Sequence, residues 1–405
     1  MRILILTTSF SLEPGDGNLI NDLANELVAL GHEVEVVLVD WNATPNGPSR
    51  RIASAPRLNV LAVSPRSLQG FGRFIALATK WLASSRFARR EMKRNLPQQN
   101  YDLMIGFSMA CISLSQIVYA QQQSRHSYLI QWDFFPYHHR SIGLITNPIL
   151  FKLTLWLETW SMRPFDVIGC MTPANETYLK SHYTLRKGQK TEILPIWGPT
   201  DQAPLAPRAA VRAAFDLPAG NKIVVFGGQL TEGRGLDDII AAAELSRELY
   251  PDLLFLIIGD GRLACVIEQV SRNGSNITYR KRIPRENYLE LLTACDAGLV
   301  CTVRNVDVPT FPSKTIDYLR AGIPIVASVE SSTDYGTYIE SKGLGAASLA
   351  GDPGALAATA ARVVGDAALA AAIRDRARAC LESDFDVRKV AQRLLHVAAE
   401  GAARA

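Results

Sequence analysis

Cysteine is scarce: six residues in 405, none in C-x-x-C spacing. That leaves neither a thiolate metal cluster nor a disulfide framework to organise the chain. Cys111, Cys170, Cys265, Cys295, Cys301 and Cys380 are scattered and read as buried thiols of a reducing compartment. No uninterrupted apolar run approaches the ~18–20 residues of a bilayer span. Strand-like sequence, MRILILTTSF, stands at the N-terminus with no secretory leader ahead of it, so a cytoplasmic protein is expected. HExxH, Walker and nucleic-acid-binding patterns are missing, so neither a metal nor a nucleic-acid partner is expected. The D-x-D at Asp384-Phe385-Asp386 falls in a helical region and reads as a chance surface pair. With 48% hydrophobic and 20% charged residues, the composition excludes a disordered or collagen-like chain, and the length suggests two domains.

The modest net charge of +4 hides an asymmetry. Residues 1–200 carry 20 Lys and Arg against 14 Asp and Glu, whereas residues 201–405 carry 23 against 25. Much of the excess lies in 66–94, where Arg66, Arg73, Lys80, Arg86, Arg89, Arg90, Lys93 and Arg94 face a lone acid, Glu91. Phe71, Phe74, Ile75, Leu77, Ala78, Trp81 and Leu82 recur there at near-helical spacing. A basic helix with an aromatic stripe suits an anionic membrane surface. The alternative is a solvated helix whose stripe faces the core.

Along the chain, short runs rich in Ile, Val and Leu alternate with amphipathic segments. RILILTTSF is the kind of run a parallel strand buried on both faces requires, and Pro14, Gly15 and Gly17 punctuate the loop after it. LINDLANELVALGH has leucines at helical spacing and a glycine stop at Gly31, and EVEVVLVD reads as the next strand. YDLMIGFS, SYLIQWDFF and FDVIGCMTP extend the same sheet. Five prolines fall in 195–220, which reads as an inter-domain linker. The alternation then restarts with NKIVVFGGQL and runs to IPIVAS, followed by Ala- and Arg-rich helices from 353. The expectation is α/β: two Rossmann-like doubly wound parallel-sheet domains facing a central cleft. Their bounds are 1–195, a linker over 196–220, 221–370, and C-terminal helices over 371–405 that could cross back to the first domain.

Two loop-to-helix junctions carry chemistry. FGGQLTEGRGLDD places Gly227 and Gly228 after a strand, and Arg234 and Gly235 before a helix. Glycine permits close backbone approach, a helix N-terminus offers free N–H groups, and arginine adds a bidentate donor: the makings of a diphosphate seat. FPSKTIDYLRAG supplies Ser313 and Lys314 near a second helix N-terminus, with Asp317 one turn inside. A carboxylate there suits ribose hydroxyls, although it would also serve simply to offset the helix dipole.

The order of these elements resembles the family 4 glycosyltransferases, retaining enzymes of the GT-B fold. The resemblance rests on PGDGN with ALGHEVEVV, on IIGDG, on NITYRKRIPRENYLELLTACDAGLV, and on AGIPIVAS. Pro312-Ser313-Lys314 and WDFFPYHHRSIG, with Asp133 and Pro136 in register, are similar to the subgroup acting on bacterial surface polysaccharide. The resemblance implies transfer of a sugar, with retention, from a nucleotide-sugar donor to a glycan or lipid-linked acceptor. No cofactor is implied, and a UDP-sugar is favoured over a GDP-sugar. Asp133, His138, Arg234 and Lys314 are the catalytic candidates, with His139 beside them. Gly15, Gly17, Gly228, Gln229, Arg234, Gly261, Arg282, Ile283, Ser313, Lys314 and Asp317 are the donor-binding candidates. The basic stretch, together with apolar GLITNPILFKLTLWLETW, implies a peripheral position on the inner face of the cell membrane.

The departures are specific. Gln229 stands where the family has arginine, Arg234 where it has lysine, and Trp132 where a histidine is common. With Gln229 neutral, one cation of the usual two is lost, and Lys314 or Arg304 is the candidate to supply it; the paired glutamates fall on Pro309 and Asp317. A sugar-nucleotide 2-epimerase, which shares the architecture, and a non-catalytic sugar-nucleotide-binding subunit are the alternatives.

Overall fold

A computed structural model describes residues 1–13, 17–66, 73–96, 100–204 and 206–402, with the side chains of 73–80 and 400–402 outside that description. The chain divides into two compact units, Met1–Pro195 with Val387–Ala405, and Ile196–Asp386.

The first unit is built on an eight-stranded sheet: β1 (Arg2–Thr7), β2 (Glu33–Val39), β3 (Arg50–Ala55), β4 (Leu58–Val63), β5 (Tyr101–Phe107), β6 (Ser124–Gln131), β7 (Val167–Cys170) and β8 (Lys190–Ile193). Their order is β3-β4-β2-β1-β5-β6-β7-β8, and only the β3–β4 pairing is antiparallel. The central strands bury nearly every residue, as helices on both faces demand. The helix Leu19–Ala29 starts in a capping box, with Asn18 accepting from the backbone N–H of Ile20 and Asn21 while the Asn21 side chain reaches back to Asn18. Its partner is the last helix, Val387–Ala402.

The second unit holds β9 (Lys222–Gly227), β10 (Leu253–Ile258), β11 (Ile277–Arg280), β12 (Ala297–Cys301), β13 (Ile325–Val329) and β14 (Gly345–Leu349). All pair in parallel, in the order β11-β10-β9-β12-β13-β14. Strand order reverses between β9 and β12, and in open α/β sheets the crevice beyond the carboxyl ends at such a point is where ligands bind.

Four sequence expectations need correction. Residues 196–220 are not a free linker: Trp197 is fully buried, and the helix Arg208–Ala214 belongs to the second unit. The buried Arg212 fixes it by donating to Asp296 (2.9 Å) and to the carbonyls of Pro218, Ala219 and Asn221 (2.9, 2.9 and 3.0 Å). The helix Ala367–Asp384 stays with the second unit, and only the chain from Val387 joins the first. Asp384 is no chance surface residue, since it accepts from Tyr338 Oη (2.8 Å) and pairs with Lys342 (2.8 Å), tying two helices together. Five cysteines are buried, but Cys265 is exposed. Among the described residues no single helix is long and apolar enough to cross a membrane, and no cluster of His, Cys, Asp and Glu could hold a metal ion.

Candidate functional site

Three loops leave the carboxyl edge of the second sheet in register, because Gly227, Ile258 and Arg280 are paired side by side on β9, β10 and β11. The turn after β9 is laced to the turn after β10. Gly228 N–H donates to Ile258 O (3.0 Å), Leu230 N–H to Asp260 O (2.9 Å), and Leu263 N–H to Leu230 O (3.0 Å). Glycine is compulsory in this contact, since a Cβ on Gly259 would collide with the Gly228 carbonyl and one on Gly261 with the Leu230 backbone. The other wall is equally close. Gly235 takes a left-handed conformation (φ 62°) ahead of the helix Leu236–Leu249, and a Cβ there would strike Cys301 Sγ and the Thr302 carbonyl.

The helix Lys314–Ala321 is anchored beneath the switch point by its own Tyr318, whose hydroxyl lies 3.1 Å from Val225 O and 3.0 Å from Leu299 O, on β9 and β12. Gly298 leaves room for that ring. Lys314 is thereby held at the helix start with its Nζ 3.5 Å from the centroid of Phe226, the penultimate residue of β9, an attractive cation–π placement. Its Nζ also sits beside Gly228, 3.7 Å from where a Cβ would be. Among the described residues Lys314 has no carboxylate partner. Burial, reinforced by the neighbouring Arg234 charge, lowers its pKa to about 7. Arg234 itself is exposed and unpaired with any described acid. Arg234 and Lys314 are thus neighbouring cations at one glycine turn, neither paired with a described acid.

The surrounding groups divide by role. Neither helix N-terminus here has a side-chain cap; at Leu236–Leu249 the first-turn N–H groups have no described acceptor, whereas at Lys314–Ala321 Thr315 N–H donates to Pro312 O (3.2 Å) and Ile316 N–H to Ser313 O (3.1 Å). Asp238, in the first turn of the helix Leu236–Leu249, is drawn off by Gly351 N–H (2.6 Å). Asp317 Oδ1 lies 3.6 Å from Arg285, and burial raises its pKa against the pull of Arg285 and Arg320. Gln229 is exposed on the turn, and Arg282 and Ile283 follow β11 on the same edge. Within the basic run before them, Arg280 is committed to structure, donating to the carbonyls of Phe215 and Asp216. Arg304 lies along Ala350 and Gly351, its Nε donating to Ala350 O at 3.4 Å.

Sequence reasoning missed Phe226, Tyr318 and Glu330. Glu330, at the end of β13, is buried and accepts from Thr302 Oγ1 and from Thr310 Oγ1 (2.7 Å), fixing the loop that leads into Lys314. Burial raises its pKa despite those bonds. No local pattern marks such a residue, because its partners lie 20 and 28 positions away.

The remaining candidates lie in the first unit. Asp133 is exposed just past β6, where Ser108 Oγ accepts the N–H of Trp132 (3.1 Å) and of Asp133 (3.0 Å). His138 and His139 sit in the short helix Tyr137–Ser141, their rings 6.2 Å apart. Burial lowers the pKa of His139, with His138 adding to the effect and Asp133 opposing it, so Asp133 and His139 are close enough to interact. Gly17 immediately precedes the Asn18 cap, and a Cβ there would meet only Asn21 at an ordinary 3.4 Å, so its geometry does not demand glycine. Gly15 lies outside the described residues.

Residues 207–379 match the family of glycosyl transferases group 1. WcaI of Escherichia coli (strain K12), which by name is a colanic acid biosynthesis glycosyl transferase, is 29% identical over 134 residues; the match spans 32% of each chain. Sucrose-phosphate synthase from Thermosynechococcus elongatus superimposes with a TM-score of 0.76 at 17% identity, covering 100% of both chains. Anabaena Alr3699/HepE, solved in complex with UDP, superimposes with a TM-score of 0.67 at 15% identity, covering 99% of this chain and 100% of that one. Residues 207–379 are thus similar to the group 1 glycosyl transferases, and the chain has the two-domain GT-B fold of these solved structures.

Proposed function

We propose that the protein transfers a sugar from a nucleotide-sugar donor to a glycan or lipid-linked acceptor in polysaccharide synthesis, with retention at the anomeric carbon. The observation that carries this reading is the unpartnered pair Arg234 and Lys314 at the glycine turn after β9. A diphosphate is the anion that two cations, a glycine backbone and the open start of the helix Leu236–Leu249 accommodate together. As the glycosidic bond to that diphosphate breaks, negative charge grows on the leaving oxygen, and Arg234 and Lys314 stabilise it. The departing phosphate oxygen then accepts the acceptor hydroxyl's proton, so no separate carboxylate base is needed. The base lies against the backbone of Arg282 and Ile283, and Asp317, already steadied by Arg285, meets the ribose. Asp133 and His138 of the first unit orient the acceptor.

The relatives support the donor class: HepE was solved in complex with UDP and with UDP-glucose, and we favour a UDP-sugar. The test is a thermal-shift screen of nucleoside diphosphates and their sugars, followed by turnover with and without acceptor. A ligand of the native state must raise the melting temperature. UDP is expected to stabilise more than GDP, with sugar release requiring acceptor. An epimerised donor formed without any acceptor would point to the 2-epimerase instead, and binding without turnover to a non-catalytic subunit.

A further inference from the structure

The helix Pro148–Met162 shows solvent a face that a stable isolated surface would not. Ile149, Leu153, Trp156 and Trp160 are spaced i, i+4, i+7 and i+11, one stripe, and they are 77%, 58%, 61% and 38% exposed. Leu144, in the preceding turn, prolongs the patch. The opposite side of the helix buries Phe151, Glu158 and Met162. Glu158 is the helix's sole acid, and both its oxygens are consumed inside the unit by the N–H of Ala110 (3.1 Å) and Cys111 (2.8 Å). The charges left beside the stripe are Lys152 and Arg163, both exposed cations.

A second helix adds to this end of the unit. Trp81, from the helix Arg73–Asn95, packs with Ile145 and Leu157 on the small cluster Cys111, Ile112 and Phe135. Trp81 is therefore turned inward, as the core-facing alternative has it, whereas its neighbour Leu82 is exposed. The same helix exposes Arg86, Arg90, Lys93 and Arg94, while its acid, Glu91, is buried and accepts from Ser49 and Arg94. Residues 67–72, and the side chains of 73–80 with Phe74, Ile75, Leu77 and Ala78 of that stripe, lie outside the described residues.

We infer that the exposed stripe of the helix Pro148–Met162 is a docking surface for an anionic lipid bilayer, with the helix Arg73–Asn95 contributing cations. An apolar stripe with tryptophans, bordered by lysine and arginine and with no exposed acid of its own, is what an interfacial helix needs. Charge complementarity selects the occupant: two copies of this face would bring like cations together, whereas anionic headgroups match them. The inference concerns the first unit and does not depend on the donor reading, because the test contains no nucleotide.

The full chain should float with equimolar phosphatidylcholine/phosphatidylglycerol vesicles and stay behind with phosphatidylcholine alone. The double variant Leu153→Ser/Trp156→Ser, altered only at exposed positions, should keep its melting temperature and lose vesicle binding about tenfold or more. Arg86→Ser/Arg90→Ser/Lys93→Ser should lose less. A blue shift of tryptophan emission on adding anionic vesicles should shrink in Trp156→Phe, which keeps the surface apolar. Equal flotation of the double variant, wild-type binding that ignores lipid charge, or no binding at all would overturn the assignment. So would a wild-type dimer in sedimentation that the double variant abolishes, since the stripe would then face a second copy.

Discussion

Glu158 in the first unit and Lys314 in the second are both charged side chains drawn out of water beyond the carboxyl edge of a parallel sheet, yet the two environments differ. Glu158 is completely buried, and each of its oxygens accepts a backbone N–H from the turn after β5. Lys314 has an aromatic face beneath it, a second cation beside it, and no described acid in reach. A buried charge whose bonding capacity is filled from within holds a turn in place. Lys314, half-buried and with no described acid in reach, keeps its hydrogen-bonding capacity open at a cost in stability.

That contrast can be broken at either end. The largest effect is expected at the satisfied end. Glu158→Leu orphans two buried N–H groups and should lower unfolding free energy by about 3 kcal/mol in a denaturant titration, with nucleoside diphosphate affinity little changed. A loss of diphosphate binding with intact stability would reverse the roles assigned to the two residues. Next comes Arg234→Ala, which removes a charge-assisted contact and should weaken UDP binding by about 1.5–3 kcal/mol by calorimetry, with the melting temperature held. Unchanged affinity would place the diphosphate elsewhere.

Acidity sharpens the comparison further. With its pKa at about 7, Lys314 is half protonated at neutral pH, and a bound diphosphate requires the charged form. UDP affinity should therefore fall toward about tenfold per pH unit above ~7.5, and Lys314→Met should abolish that slope. The smallest effect is on stability. Because the folded pKa lies below the unfolded value, Lys314 costs stability in full below pH 7, and the cost fades as pH rises toward the unfolded value of 10.5. Lys314→Met should accordingly raise stability by on the order of 1 kcal/mol at pH 7, and by less at pH 9. A destabilised Lys314→Met would mean that the ammonium has a structural partner after all.

The fold was legible where chemistry is local. Runs such as ILIL and IVVF can be satisfied only as strands covered on both faces, and Gly227-Gly228 or Gly259-Asp260-Gly261 announce close-packed turns. The prolines of 195–220 misled because they report backbone stiffness and say nothing of burial, and it is Trp197 and Arg212 that bind the segment into the second unit. Within the site, Arg234 and Lys314 could be read from their positions at helix starts. Phe226, Tyr318 and Glu330 could not, because each acts on partners distant in the sequence. The stripe of Pro148–Met162 was visible as composition, but only the burial of Glu158 and Phe151 shows which side faces out.

The chain's return to the first unit has a consequence for biogenesis. Gly198 N–H donates to Phe385 O (2.9 Å), and Gly198 bridges Asp386, so the second unit's two ends lie together. The helix Val387–Ala402 then packs on Leu19–Ala29, with the whole second unit between them in the chain. A ribosome thus releases the whole second unit before it releases the helix that completes the first. Until that helix emerges, the nascent first unit must wait with the Leu19–Ala29 face uncovered, a natural point for chaperone engagement.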